Sequence, residues 1–163
     1  SGYEEASHLP YEMGLIKNRY VARTFIQPTQ ELRDRGVRMK LSAIHSIVEG
    51  KRIVLIDDSI VRGTTSKRIV QLLKEAGAKE IHMRIASPMI KYPCFYGVDT
   101  STKEELIAAH KSEEELCRYI GADSLRFLTI KDLLEISNGS LCTACFDGNY
   151  ITELYDYAKK VKE

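Results

Sequence analysis

The sequence lacks several features that would each assign it to a broad class of protein. It contains no apolar run long enough to cross a membrane and no signal-peptide pattern, so we expect no membrane partner. Only four of the 163 residues are cysteine, which does not suggest a disulfide framework. The net charge is only +1, which argues against a dedicated nucleic-acid binder.

The composition that remains is that of an ordinary globular protein. Apolar residues make up 44% and charged residues 29% of a chain long enough for one domain with its own core. The sequence has no initiator methionine and enters helix-like sequence directly after Ser1. We therefore expect a fragment or an excised domain.

The most informative stretch runs from Arg52 to Ser66. An apolar run, Ile53 to Ile56, predicts a buried strand that ends in two adjacent carboxylates, Asp57 and Asp58. A loop with one glycine follows, and the spacing then becomes helical. Loop amides and a helix N-terminus offer donors and partial positive charge to a phosphate. Further hydroxyl donors come from Ser59, Thr64, Thr65 and Ser66.

The acidic pair narrows the type of ligand. Two carboxylates beside a phosphate site would repel a bare polyphosphate, but they could hold ribose hydroxyls or the waters of a Mg²⁺ ion. The stretch is not a Walker A loop, because the G-x-x-x-x-G-K-[ST] pattern is missing, and its single glycine excludes a Rossmann fingerprint. The alternative is a strand that simply ends in a polar turn and a capped helix.

The segment Asp57-Asp58-Ser59-Ile60-Val61-Arg62-Gly63-Thr64-Thr65 resembles the phosphoribosylpyrophosphate (PRPP) motif of type I phosphoribosyltransferases. In detail it is similar to the glutamine PRPP amidotransferase family, because most other members carry a second glycine and no arginine in this loop. The resemblance implies an α/β fold with a mostly parallel sheet flanked by helices, incomplete at its N-terminal end. It also implies that Asp57 and Asp58 bind the ribose hydroxyls and Mg²⁺, while the loop from Ser59 to Thr65 (the 59–65 loop) holds the 5-phosphate. The family's Pro-Asp-Ser type loop, which supplies a further metal contact, is missing, so we expect an incomplete metal site.

A basic stretch lies upstream of this motif. Seven basic and two acidic residues fall between Lys17 and Lys40. In the resembled family this region is similar to a flexible loop that closes over PRPP, excludes water and meets the charge of the departing pyrophosphate. The resemblance makes Lys17, Arg19 and Arg23 the candidate catalytic residues. The alternative is an ordinary surface loop.

Three of the four cysteines lie in suggestive local contexts. Cys142 and Cys145 form a C-x-x-C, and Cys94 lies upstream in a Pro-Cys-Phe-Tyr-Gly turn. Alone, the pair could be a redox pair, half a zinc site or two idle thiols. One branch of the resembled family carries a [4Fe–4S] cluster, and the resemblance makes Cys94, Cys142 and Cys145 three of its ligands. The fourth cysteine would lie N-terminal to this chain, and free thiols without metal remain the alternative. We expect Cys117 to be a buried small apolar residue.

Periodicity and capping signals predict the other elements, and Thr102-x-x-Glu105 and Ser112-x-x-Glu115 both fit capping boxes. We expect a partial phosphoribosyltransferase domain over residues 1–137, and a linker with the C-x-x-C and a terminal helix over residues 138–163. Predicted helices cover residues 1–9, 65–76, 103–109, 113–120 and 129–136, and a last one runs from Ile151 to the end. Predicted strands are Tyr11–Ile16, Arg38–Val48, Glu80–Ser87 and Ser124–Leu128, and residues 30–37 are expected to form one helical turn.

The resemblance implies an intact amidophosphoribosyltransferase, a pentosyl-transferring enzyme that converts PRPP and glutamine-derived ammonia to 5-phosphoribosylamine for purine synthesis. It further implies an N-terminal glutaminase domain, feedback by purine nucleotides, a homo-oligomer and a cytoplasmic location. We expect the chain alone to be inactive with glutamine. One rival is a non-catalytic PRPP or nucleotide-binding regulator of the same fold. A weaker rival is a nucleobase salvage enzyme, for which the sequence offers no base-recognition hood.

Overall fold

The computed structural model describes residues 2–17, 41–98, 100 and 102–157. The chain divides into two compact units, one formed by Ser1–Ile53 with Arg68–Glu80 and the other by Val54–Lys67 with Ile81–Glu163. The candidate residues Arg19 and Arg23, and the helical turn predicted at 30–37, lie outside the described ranges.

The first unit contains a short antiparallel strand pair. Helix α1 (Gly2–Ser7) precedes strand β1 (Leu15–Lys17), which pairs with strand β2 (Leu41–Ala43) so that Leu15 lies opposite Ala43. Helix α2 (His45–Val48) follows directly. The predicted strand Arg38–Val48 is therefore wrong beyond Ala43, because the apolar spacing of Ile44, Ile47 and Val48 is helical and buries Val48 completely. The strand predicted at Tyr11–Ile16 is confined to β1.

Strand β3 (Arg52–Asp57) and helix α3 (Thr64–Glu75) begin and end within one residue of their predicted bounds. The prediction that this strand is buried is wrong within the described residues, because the side chains of β3 are half-buried or exposed and Ile56 is 46% exposed. The helix buries Val70 and Leu73 on one face, and Ala76, directly after its last residue, is buried as well. Gly77 ends it with a φ of +88° and accepts a hydrogen bond from the Gly50 amide at 2.8 Å. The turn before β3 is thereby fixed to the end of α3.

The second unit is built on a three-stranded sheet in the order β3-β4-β5, which is completed by strands β4 (Glu80–Ile85) and β5 (Ser124–Phe127). Strands β4 and β5 pair in parallel, with Met83 opposite Leu125. Ile81, Met83 and Ile85 alternate with half-exposed neighbours and are almost fully buried. This alternation matches the sequence prediction for the strand.

Within the described ranges, four helices of this unit follow β4. They are α4 (Ile107–His110), α5 (Glu113–Ile120), α6 (Ile130–Ile136) and α7 (Ala144–Asp147), with 3₁₀ turns at Lys103–Glu105 and Tyr155–Tyr157. The capping box predicted for α5 is confirmed, because Ser112 and Glu115 exchange both hydrogen bonds. In the described ranges no helix combines the length and apolarity needed to span a membrane.

Two helix predictions in this unit are wrong in part. The helix predicted at 103–109 is broken at Leu106, which is extended and fully buried, and Thr102 does not cap it with its side chain. The terminal helix predicted from Ile151 is only the 3₁₀ turn Tyr155–Tyr157 within the described residues. Contacts explain this: Thr152 donates its amide to the Tyr96 hydroxyl, and Tyr157 packs on Phe95. Helix α7 was not predicted at all.

Candidate functional site

The two carboxylates lie at the carboxyl end of β3. The carbonyl of Asp57 accepts a hydrogen bond from the Ala86 amide at 3.0 Å, just beyond the end of β4, which fixes the strand end. The Asp57 side chain is half-buried and Asp58 is exposed. Asp57 Oδ1 accepts from the Asp58 amide at 3.0 Å, and Asp58 Oδ1 accepts from Ser59 Oγ at 3.2 Å. Each carboxylate therefore keeps acceptor sites for a ligand or a hydrated ion.

The electrostatics of Asp57 and Asp58 favour a positively charged or hydroxyl-rich ligand. Burial raises the pKa of Asp57, and the neighbouring Asp58 charge raises it further, while the Asp58 amide works against both. A cation beside the pair would relieve the repulsion between the two carboxylates. The site thus has the charge required to hold Mg²⁺ or ribose hydroxyls.

Gly63 shapes the 59–65 loop. It has a φ of +72°, which disfavours any residue with a side chain. A Cβ at this position would lie 3.1 Å from Ile107 Cδ1 and 3.3 Å from Tyr119 Cε1. Ile60, three residues earlier, is only 2% exposed. The loop is therefore fixed by one buried side chain and one close backbone approach.

The backbone amides of the loop are available to a ligand. In the described part of the chain, the N–H groups of Ile60 through Ser66 donate to no protein acceptor, and the first that does is Lys67 N, which donates to Gly63 O at 2.9 Å. The side chains of Thr64 and Thr65 are exposed at the start of α3. Consecutive N–H groups that donate to no protein acceptor and lead into a helix N-terminus form an anion-binding arrangement.

Of the three candidate catalytic residues, the structure describes only Lys17. Lys17 is exposed at the end of β1, opposite Leu41 in the first unit. Because Arg19 and Arg23 lie outside the described residues, the catalytic role of all three stays a prediction.

The three suggestive cysteines lie in segments that are tied together. The amides of Lys91 and Tyr92 both donate to the Cys145 carbonyl, at 2.9 and 3.0 Å. Tyr150 donates its hydroxyl to Pro93 O at 2.7 Å, next to Cys94. Tyr150 also contacts the Phe95 ring, at 5.3 Å between centroids. The upstream turn and the C-x-x-C are thus adjacent in the fold although they are far apart in sequence.

The thiols themselves interact electrostatically. Burial raises the pKa of Cys145, and the nearby thiols of Cys94 and Cys142 raise it further. Even so, no three His, Cys, Asp or Glu side chains within the described ranges form a metal-binding group. The three thiols are neighbours, but alone they are not a complete ligand set. Cys117 is elsewhere, half-buried on α5 with its thiol donating to Ala122 O at 3.2 Å.

Sequence reasoning missed the residues that support the loop from outside. Ile107 and Tyr119 contact Gly63, and Glu105 pairs with Arg62. These residues lie more than 40 positions downstream, in a region with no ligand-binding motif of its own. No local sequence signal could have linked them to the loop.

The fold and the site together are typical of phosphoribosyl transferase domains, because a strand ending in two carboxylates leads into an amide-lined loop and a helix N-terminus. Residues 3–89 match the phosphoribosyl transferase domain family, and the chain belongs to that family.

Comparison with curated proteins narrows the family further. The chain is 62% identical over 161 residues to the amidophosphoribosyltransferase of Bacillus subtilis, covering 94% of this chain and 34% of that protein. It is 60% identical over 171 residues to the amidophosphoribosyltransferase of Staphylococcus epidermidis, covering 100% and 34%. The chain therefore spans about a third of the length of these relatives.

Solved structures confirm the predicted fold class. The chain is similar, with a TM-score of 0.83 and 61% identity, to the glutamine PRPP amidotransferase of B. subtilis complexed with ADP and GMP, covering 94% of this chain and 35% of that one. It is equally similar by TM-score, 0.83 with 57% identity, to an enzyme described as the allosteric regulatory enzyme of purine biosynthesis, covering 98% and 37%. The predicted type I phosphoribosyltransferase-like α/β fold is thereby confirmed.

Proposed function

We propose that this chain is the phosphoribosyltransferase part of an amidophosphoribosyltransferase. The parent enzyme would replace the pyrophosphate of PRPP with the nitrogen of ammonia and release 5-phosphoribosylamine for purine nucleotide synthesis. In the intact protein the ammonia would come from glutamine in an N-terminal glutaminase domain. The observation that carries the proposal is the acidic pair at the end of β3, followed by loop amides that donate to no acceptor among the described residues. The names of the relatives support it.

The acidic pair and the loop divide the substrate between them. Asp57 and Asp58 accept hydrogen bonds from the ribose hydroxyls, because each carboxylate has acceptor sites to spare. The amides and hydroxyls from Ser59 to Thr65 hold the 5-phosphate at the N-terminus of α3. The ribose is thus held at both ends, and its anomeric carbon is kept in one orientation for displacement.

Magnesium fits this arrangement. Bound Mg²⁺ would neutralise charge on the pyrophosphate and lower the barrier to its departure. Asp57 and Asp58 would hold it through one or two carboxylate contacts, which suits an ion that keeps several waters. The pKa of Asp57, raised by burial and by Asp58, supports a cation at this position.

The basic stretch supplies the proposed closing loop. Lys17, Arg19 and Arg23 would meet the developing charge of the pyrophosphate and exclude water from the reacting carbon. The support for this role is the local excess of basic residues in the sequence.

We further propose that the intact protein belongs to the iron–sulfur branch. Cys94, Cys142 and Cys145 would supply three ligands of a [4Fe–4S] cluster, and a cysteine N-terminal to this chain the fourth. Support comes from the hydrogen bonds that hold the two cysteine segments together. A test is anaerobic reconstitution of a full-length protein and of its C142A and C145A variants with iron and sulfide. Variants that bind as much iron as the parent would refute the ligand assignment.

Purine nucleotides are the proposed regulatory ligands. The similar B. subtilis enzyme is described as complexed with ADP and GMP, which supports nucleotide binding by this fold. A homo-oligomeric state and a cytoplasmic location remain predictions of the same assignment.

One assay separates an enzyme from a non-catalytic binder. Pyrophosphate release is measured with PRPP, Mg²⁺ and ammonia supplied directly, alongside calorimetry with PRPP, AMP and GMP. An enzyme releases pyrophosphate in an ammonia-dependent manner, and D57N and D58N reduce the release while D156N, a control at an exposed aspartate, does not. Binding of PRPP without ammonia-dependent release would favour the regulator, and no binding at all would contradict the proposal.

A further inference from the structure

A short segment downstream of β4 supports the 59–65 loop from outside. Arg62 Nη2 lies 2.7 Å from Glu105 Oε1, and both side chains are about half exposed. Two residues on, the Ile107 amide donates to the Val61 carbonyl at 2.9 Å. The Ile107 side chain then fills the space beside Gly63. One stretch of three residues therefore contacts three successive loop residues.

The segment is itself fixed in place. Leu106, between the two contacting residues, is 0% exposed, and its amide donates to Lys103 O at 3.0 Å. Burial of Leu106 prevents Glu105 and Ile107 from moving independently of the core of this unit. The segment can thus act as a rigid support for the loop.

We propose that Glu105 is a positioning residue for phosphate binding, acting through Arg62, an inference that rests on the proposed function of the loop. Arg62 is the only cationic side chain among residues 59–65, and within the described residues the backbone amides around it in the loop donate to no protein acceptor. By pairing with Arg62, Glu105 holds this part of the loop against the segment and leaves the amides oriented toward a ligand. Glu105 itself does not touch the substrate in this account.

The direction in which E105Q changes the affinity for phosphate distinguishes a positioning role of Glu105 from a simple effect of its charge. Glu105 is an anion near a proposed phosphate site, so by Coulomb's law alone its neutralisation would tighten binding of an anion. Positioning has the opposite sign, because E105Q releases Arg62 and loosens the loop. Since an exposed ion pair contributes little, we expect the affinity to fall by only about 2- to 5-fold.

The experiment compares E105Q with E104Q in the whole chain. Glu104 is exposed and adjacent, so E104Q removes the same charge one residue away. Ribose 5-phosphate binding is measured by calorimetry in low salt and again at about 1 M salt, where the Debye length falls to about 3 Å. We expect E105Q, but not E104Q, to weaken binding at low salt, and the difference from the unmodified chain to shrink at high salt. Equal or tighter binding by E105Q would overturn the proposal.

Amide hydrogen exchange gives a second readout that needs no ligand. E105Q should speed exchange of the Ile107 amide, which donates to Val61 O, and of the Lys67 amide, which donates to Gly63 O, whereas E104Q should leave both unchanged. If the unmodified chain does not bind ribose 5-phosphate, the proposed function fails, and the exchange rates alone decide whether Glu105 orders the loop. Unchanged exchange in E105Q would refute the positioning role whatever the binding result.

Discussion

Gly63→Ala tests whether the 59–65 loop requires glycine for two separate reasons. The first is the φ of +72°, where a residue with a Cβ costs roughly 1–2 kcal/mol. The second is space, because the new Cβ would lie 3.1 Å from Ile107 Cδ1 and 3.3 Å from Tyr119 Cε1. Overpacking costs about 1–3 kcal/mol, and the lower part of this range applies because the Ile107 side chain can shift. We expect Gly63→Ala to lower the free energy of unfolding by about 2–3 kcal/mol in total.

Gly121→Ala is the matched control within the same unit. Gly121 has a φ of +82°, but a Cβ there would meet nothing within 4 Å. Gly121→Ala should therefore lower the free energy of unfolding only by the conformational cost, about 1–2 kcal/mol. A double variant, Gly63→Ala with Ile107→Val, removes the Cδ1 that lies nearest, and should recover part of the steric cost.

The assay is urea unfolding of Gly63→Ala, Gly121→Ala, Ile107→Val and the double variant beside the unmodified chain. Stability changes should appear in the midpoint and not in the slope, because the surface exposed on unfolding is unchanged. If Gly63→Ala costs no more than Gly121→Ala, the close approach of Ile107 and Tyr119 contributes nothing and the reasoning is wrong. An absence of coupling in the double variant would point the same way.

Three further predictions concern single side chains. The pKa of Asp57 is raised in the folded chain, so the protonated side chain stabilises the fold below the ordinary value of 3.8, and this contribution is lost as pH rises through the raised pKa. D57N should therefore stabilise the chain at pH 7 and lose this advantage in acid. Thermal melts at a series of pH values check this. Burial raises the pKa of Tyr150 to about 12, so the stability of the chain should fall as pH rises from the ordinary value of 10.0 to about 12. Y150F should abolish this alkaline loss. Because it also loses the hydrogen bond to Pro93 O, Y150F should cost about 1 kcal/mol at neutral pH. Met83→Ala, at a fully buried position of β4, should cost about 2–5 kcal/mol in urea unfolding, and a loss below 1 kcal/mol would argue against a packed sheet face.

Local signals predicted the part of the fold that carries the acidic pair. The run from β3 through the 59–65 loop to α3 is determined by neighbouring residues: an apolar strand, a glycine that allows positive φ, and helical spacing. The α5 helix was predictable for the same reason, because its capping box uses only Ser112 and Glu115. Sequence reasoning succeeds where interactions are short in range.

Elements that depend on distant partners could not be read from local pattern. Thr152 and Tyr157 lie in the stretch that was predicted to be the last helix, yet contacts with Tyr96 and Phe95 hold that region out of a regular helix. The break at Leu106 likewise follows from its burial. Arg62 and Glu105 form an ion pair although they are 43 positions apart, and no local pattern links the two residues.

The most direct test of the central claim is calorimetric titration of PRPP, with Mg²⁺ present, into the unmodified chain and into the D57N/D58N double variant. The unmodified chain and the D156N control should both bind PRPP. The double variant should lose roughly tenfold or more in affinity, since each hydrogen bond to a charged group contributes about 1.5–3 kcal/mol. Equal affinity of the double variant and the unmodified chain for PRPP would contradict the assignment of the acidic pair to the ribose.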